Sequence, residues 1–252
     1  MSSLLVEAAP HSEPGLSAMR VEHADVRYFD PAPPSVRYER ILRIQGYTDL
    51  SRVRPAITHA ANEMAALASS KSRPRVAYCH VPIRSLDSEG LDVEGGRFES
   101  KAFASRLAGC LEVAPVVLSV GDGIGKEVAA LADAGDLLEA VLLETAGWLC
   151  IEDATRQFTI HLKEAAAARG CRITSRMGPG YSYRLEAEEV TWPLEAQPVL
   201  FGLFGGAKLP VALMSSCAMQ PKLSRSGLYG IAPLSLASTP SRTVPLPHQG
   251  KT

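Results

Sequence analysis

The chain has no apolar run approaching the roughly 18 to 20 residues that cross a bilayer, and Met1 to Pro10 has neither the basic start nor the long apolar core of a secretory leader. A membrane span is therefore excluded at this level, and a cytoplasmic location is expected. Excess charge of one sign is also missing. Twenty-six Lys and Arg stand against 27 Asp and Glu, a formal net charge of -1, so the chain lacks the basic footprint of a nucleic-acid binder or of a protein drawn to an anionic membrane. Cysteine is scarce and unpaired in pattern. The five, Cys79, Cys110, Cys150, Cys171 and Cys217, lie far apart beside apolar neighbours with no CxxC among them, which reads as buried free thiols.

The signatures of several catalytic classes are absent too. His59, His80 and His161 are not spaced as metal ligands, and neither HExxH nor GxSxG occurs. Gly121-Asp122-Gly123-Ile124-Gly125-Lys126 resembles a phosphate loop only superficially. A Walker loop needs Gly where Val120 stands and Ser or Thr where Glu127 stands, and the dinucleotide fingerprint needs a third glycine where Lys126 stands. A tight strand-to-helix turn is the reading that remains.

What the chain does have is the make-up of a globular domain: 252 residues, 46% hydrophobic and 21% charged, with a mean hydropathy of +0.03. Residues 1–36 are rich in Pro, Ser, Ala and Glu and read as a mobile or loosely docked arm; residues 235–252 carry Pro240, Pro245 and Pro247 and read as a disordered tail. One domain, 37–234, lies between. Apolar spacing predicts a helix over Ser51 to Ser69, a β-branched strand over Arg75 to Ile83 and a second strand over Ala114 to Val120. Glu127 to Gly170 reads as helix broken at Ala134-Gly135-Asp136 and capped by Gly170. Short strands over Arg172 to Ser175 and Leu209 to Ser215 flank a short helix over Leu194 to Leu203.

The segment Arg176-Met177-Gly178-Pro179-Gly180-Tyr181 puts a fixed cation beyond a strand, then a Gly-Pro-Gly turn with accessible backbone, then an aromatic ring. Such a loop suits a zwitterion carrying an aromatic or sulfonium group. A structural turn with a surface arginine is the competing reading. Trp192-Pro193-Leu194-Glu195-Ala196-Gln197 follows, and Ser215 to Ser224 with Ser226-Gly227-Leu228-Tyr229 closes the domain.

Together these stretches resemble the activation domain of cobalamin-dependent methionine synthase, in particular its short free-standing relatives. The similarity also takes in Ile41 to Tyr47, Phe98-Glu99-Ser100, Leu107 to Cys110 and the helical stretch from Gly135 to Asp153, so it covers roughly Arg40 to Pro233. The resemblance implies a single mixed α/β (α+β) domain with a curved, antiparallel-rich sheet and flanking helices. It implies an S-adenosylmethionine (AdoMet) site facing the corrin ring of a separate cobalamin domain. By residue, it makes Arg176 the partner of the ligand carboxylate, Pro179 and Gly180 the turn whose main chain meets the ligand, and Tyr181 the aromatic at the ligand and corrin face. Glu152, with Asp153 adjacent, falls where an acid contacts the ligand ammonium, and Tyr229 is a late aromatic near the adenosyl pocket; a solvated helix carboxylate and a core-edge tyrosine are the plainer readings of these two.

Two departures matter. Relatives pass almost directly from Pro-Gly-Tyr to Trp-Pro-Leu, whereas here Ser182 to Thr191, with Glu186, Glu188 and Glu189, intervenes and is placed to line or obstruct the site. The chain also has no Asp-x-His-x-x-Gly element to ligate cobalt, so the resemblance implies cobalamin carried by a partner, a corrinoid protein or methyltransferase subunit, with a flavodoxin- or ferredoxin-like reductant. The function expected is reductive methylation of cob(II)alamin as one component of a cobalamin-dependent methyltransferase of the methionine synthase type. The alternative is a non-enzymatic docking or cap module that does not bind AdoMet.

Overall fold

The structure is a computed structural model that describes residues 25–185 and 188–234. In chain order its elements are β1 (Arg27–Phe29), α1 (Tyr38–Ile44), α2 (Pro55–Lys71), β2 (Arg75–Tyr78), β3 (Val81–Leu86), β4 (Gly90–Val93), β5 (Gly96–Glu99), α3 (Ala102–Arg106) and β6 (Glu112–Ser119). Then come α4 (Gly123–Ala134), α5 (Leu137–Ala167), β7 (Cys171–Ile173), β8 (Ser182–Leu185), β9 (Glu188–Thr191), α6 (Gln197–Gly202), β10 (Ala212–Leu213), β11 (Met219–Gln220) and β12 (Ser224–Pro233).

Strand β6 is apolar along almost its whole length because both of its faces are covered. Successive side chains of a strand point to opposite faces. Ala114, Val116 and Leu118 enter one core with Ile41 of α1, Met64 of α2 and Leu149 and Phe158 of α5. Val113 and Val117 enter a second core with Phe98, Phe103, Trp192, Leu200 and Leu228. One edge of β6 carries β12, in register from Ser224 opposite Ser119 to Ile231 opposite Glu112, and β7 lies beyond it. The other edge is shared by β2 and β3.

The sharing has a local cause at Pro115. Cys79 donates its N–H to the Pro115 carbonyl at 3.3 Å, but proline has no N–H to return the bond. The strand read from sequence as Arg75 to Ile83 is accordingly two strands in one continuous register along β6, interrupted at Cys79-His80, the first pairing with β1 and the second leading to the hairpin β4–β5. The resulting sheet is a curled antiparallel half-barrel with flanking helices, antiparallel in every described ladder.

Other expectations fare differently. The helix break falls where it was placed: α4 ends at Ala134, Gly135 has φ +88°, and α5 runs on from Leu137. The predicted helix near residues 51–69 is α2, with Ile57, Ala61, Met64 and Ala68 buried. The strand expected over Leu209 to Ser215 shrinks to the two residues of β10, paired with β11. The part of the expected arm that is described is not loose, because Arg27–Phe29 pairs with β2 as β1; residues 1–24 and 235–252 lie outside the described residues. Among the described residues no helix is long and apolar enough to cross a membrane.

The thiols divide into two groups. Cys79, Cys110 and Cys150 are buried, and burial pushes the Cys79 and Cys150 thiols up to about 12, with Cys110 shifted the same way. Cys171 and Cys217 are half-buried rather than buried as expected. A thiol-reactive reagent in native buffer is expected to label Cys171 and Cys217 and to spare the other three until the protein is denatured; rapid native labelling of Cys79 or Cys150, read by peptide mass, would contradict this packing.

Candidate ligand site

After β7 the chain returns to β12 at one point. Met177 and Leu228 exchange two backbone hydrogen bonds of 2.8 Å each, an isolated antiparallel bridge. This lays the Arg176 guanidinium over Gly227, and the approach is possible only because Gly227 has no side chain. A Cβ there would lie 2.1 Å from the Met177 carbonyl oxygen and 2.8 Å from Nη1 of Arg176. Arg176 donates from Nη1 to the Ser226 carbonyl at 2.6 Å, and its guanidinium carbon sits 5.1 Å from the centroid of the Tyr181 ring, within cation–π range. Among the described residues no carboxylate pairs with Arg176. A guanidinium has five N–H donors, so most of this half-buried cation's capacity is open.

The Gly-Pro-Gly turn is fastened from below and from the side. Gly180 donates to the Trp192 carbonyl at 2.7 Å, and Trp192 donates to the Tyr181 carbonyl at 3.0 Å. Trp192 is buried edge-on against Phe98 and Phe103, with centroids 5.4 and 5.0 Å away. Gly180 has φ +82°, a conformation that costs any side-chain-bearing residue. Pro179 is buried, while Tyr181 is half exposed.

The acidic insertion is a β-hairpin, β8–β9, whose base is closed by Ser182 opposite Thr191. It leans toward α3: Arg106 lies over the Tyr183 ring at 5.9 Å, and Lys101 faces Glu188 at 3.9 Å. Its described residues do not line the cleft described next. It supports the turn instead, because the Tyr183 hydroxyl accepts from the Gly178 N–H at 2.7 Å and donates to the Gly178 carbonyl at 3.2 Å. Glu186 lies outside the described residues.

A narrow cleft of about 10 Å³, room for roughly one water, lies where α5 crosses β12. Alternation puts Arg225, Gly227 and Tyr229 on one face of β12, and helical spacing puts Glu152, Thr155 and Thr159 on one stripe of α5. The two sets meet. Arg225 pairs with Glu152 and donates to Thr155 Oγ1 at 3.2 Å, and the Tyr229 and Thr159 hydroxyls bond at 2.8 Å. Thr155, Phe158, Arg176, Arg225 and Tyr229 line the cleft. Tyr229 is almost fully buried against Phe158 and forms the floor, and burial raises its phenol above the ordinary value.

Arg176, Tyr229 and, through Arg225, Glu152 are thus brought together, with Pro179, Gly180 and Tyr181 on the turn beside Arg176. Asp153 is turned elsewhere, accepting from Arg156 and Gln157, so of the two adjacent acids it is Glu152 that meets Arg225, without lining the cleft itself. Arg225 was not singled out in the sequence. It sits in a Ser- and Gly-rich stretch with no apolar period, and its environment exists only through α5, 73 residues earlier.

A second cleft, larger and apolar, lies between α4 and residues 220–223, lined by Ala129, Ala132, Pro221 and Leu223. Its cations are already neutralised, Lys126 by Asp122 and Lys222 by Glu144. The glycine turn at its edge starts α4, as the sequence suggested, and offers no free cation to a phosphate.

These features define a class of architecture: a mixed helix-and-strand domain whose curled antiparallel half-barrel carries a small cleft, bordered by two arginines, between a long helix and the last strand. No protein-family profile matches the chain, and no curated protein matches it in sequence. Among solved structures it is similar to a crystal structure of the MetH reactivation domain bound to AdoHcy, with a TM-score of 0.57 and 13% identity, covering 83% of this chain and 79% of that one. The likeness establishes the fold, and the expected fold class holds.

Two substitutions test the geometry. Gly227→Ala drives a methyl into the Met177 carbonyl and is expected to cost on the order of 1 to 3 kcal/mol. Gly180→Val forces a β-branched residue into left-handed backbone at about 1 to 2 kcal/mol. Thermal or urea unfolding reads both, and wild-type stability in either variant would show that its close approach or turn is absent in solution.

Proposed function

We propose that this protein binds AdoMet with its amino-acid end anchored at Arg176 and presents its methyl group to reduced cobalt on a separate corrinoid protein. The observation that carries the reading is Arg176 itself: a half-buried guanidinium, held by Ser226 and flanked by Tyr181, with no carboxylate of its own among the described residues. A cation desolvated in this way favours an anionic partner. The structural neighbour binds AdoHcy, which differs from AdoMet only in having given up the methyl group, and it shares the fold on which this cleft is built.

The residues divide the ligand between them. Arg176 takes the carboxylate, Glu152 the ammonium, and the Gly178 to Gly180 main chain borders the ligand beside the Tyr181 ring. AdoMet supplies an electrophilic methyl whose departure from sulfur leaves a neutral thioether, so the transfer asks no general acid or base of the protein. Its contribution is orientation. Reduction of the cobalt by an external flavodoxin- or ferredoxin-like donor precedes the transfer. Tyr181 and the β8–β9 hairpin form the face toward the corrinoid partner, in a contact that releases after each repair.

Calorimetric titration of AdoMet into the isolated chain is the direct test. Arg176→Lys keeps the charge but loses one arm of the fork; with charged hydrogen bonds worth about 1.5 to 3 kcal/mol, affinity is expected to fall roughly ten- to a hundredfold. Equal affinity in a folded variant removes Arg176 from the site. No binding by the wild type would leave the chain as a docking module for a corrinoid protein. With a cobalt(II) corrinoid protein, a low-potential reductant and AdoMet, the chain is expected to promote formation of methylcobalamin, read by its visible spectrum.

A further inference from the structure

Two arginines line the cleft, and one acid meets the second of them from outside it. Arg176 and Arg225 line the same narrow space, separated along β12 by the bare backbone of Gly227. The side chain of Arg225 is only 16% exposed, yet its one ionic partner, Glu152, is 53% exposed and stands on its solvent side. Two guanidinium groups facing one cleft repel each other, and a single exposed carboxylate leaves that space with a net positive charge. The remaining oxygen contacts are neutral: Thr155 to Arg225 and the Ser226 carbonyl to Arg176.

Resting on the reading that AdoMet is anchored at Arg176, we infer that Arg225 and Glu152 form an exchangeable ion pair which the amino-acid end of the ligand replaces. In the free chain each satisfies the other. In the complex the ligand carboxylate bridges Arg176 and Arg225, and Glu152, released from Arg225, takes the ligand ammonium. Charge is conserved in the exchange: one ion pair opens, and a zwitterion closes both halves. A carboxylate oxygen has the lone pairs to accept from both forks, and Glu152 needs only a rotamer change because it is already in contact with solvent. Arg225 is then the residue that makes the site selective for an intact α-amino acid over an adenosyl compound lacking its carboxylate. The pattern Arg225-x-Gly227-x-Tyr229 on the strand and Glu152-x-x-Thr155 on the helix is what assembles it.

The test compares three ligands on the full chain by calorimetry: AdoMet, decarboxylated AdoMet, which keeps the ammonium and sulfonium, and 5′-methylthioadenosine, which has neither amino nor carboxyl group. Arg225→Met is expected to weaken AdoMet at least about tenfold while decarboxylated AdoMet binds as tightly as to wild type or tighter, because Glu152 no longer has to leave Arg225, and Arg225→Lys to fall between. Glu152→Gln is expected to weaken AdoMet and decarboxylated AdoMet alike and to leave 5′-methylthioadenosine unchanged. Thermal melts confirm that each variant is folded. Equal loss for all ligands in Arg225→Met would make Arg225 merely structural, and no loss for any would remove it from the site; either outcome overturns the exchange while the AdoMet reading stands. Failure of the wild type to bind AdoMet overturns both, and is recognised without any variant.

Discussion

Everything in this domain that could recognise a ligand depends on β12 lying in register along β6. That ladder fixes which residues of β12 face the helices and which face the inner core. Leu228 and Ala232 go inward, while Tyr229 and Ile231 go toward α5. A shift of one residue would exchange the two sets, burying Arg225 in an apolar interior and turning Leu228 toward Glu152. The register is held because β6 is apolar on both faces and admits only the small Ser224 and Ser226 as buried polar side chains from β12, Ser226 donating to Gln197. The position of the two arginines is therefore a by-product of core packing, and no dedicated scaffold holds them in place.

Much of this was legible in the chain, for reasons that differ by element. The helix break at Gly135 and the apolar run of β6 announce themselves through local chemistry, a left-handed glycine and a β-branched stretch. Strand β12 does not, although it is the longest of all. Its Ser224-Arg225-Ser226-Gly227 opening and Gly230 carry no strand pattern, and no element was expected there, because the strand's stability comes from β6 and β7 and not from its own side chains. The interruption at Cys79-His80 was hidden for a related reason. Its cause, the missing N–H of Pro115, lies 36 residues away in another strand.

The site shows the same division. Arg176 and the Gly-Pro-Gly-Tyr turn form one contiguous motif whose residue types carry their meaning within six positions. Glu152 and Tyr229 could be nominated only by resemblance, and the structure gives each a specific neighbour. Tyr229 is a floor residue bonded to Thr159, and Glu152 is the acid that meets Arg225. Arg225 could not be nominated at all, since a lone arginine between serines is indistinguishable in sequence from a solvated one.

The closed base of the β8–β9 hairpin separates two properties that a single loop would have tied together. Tyr181 and Trp192 are joined by a backbone hydrogen bond of 3.0 Å, so the chain on either side of the insertion is already spliced across its base. Residues beyond Ser182 and Thr191 can lengthen, shorten or change charge without altering the distance that the Gly-Pro-Gly turn must span. Lineages carrying this fold can therefore revise what the hairpin presents to a neighbouring protein while the turn beneath it keeps its shape, provided the Tyr183 hydroxyl or an equivalent donor remains to hold Gly178.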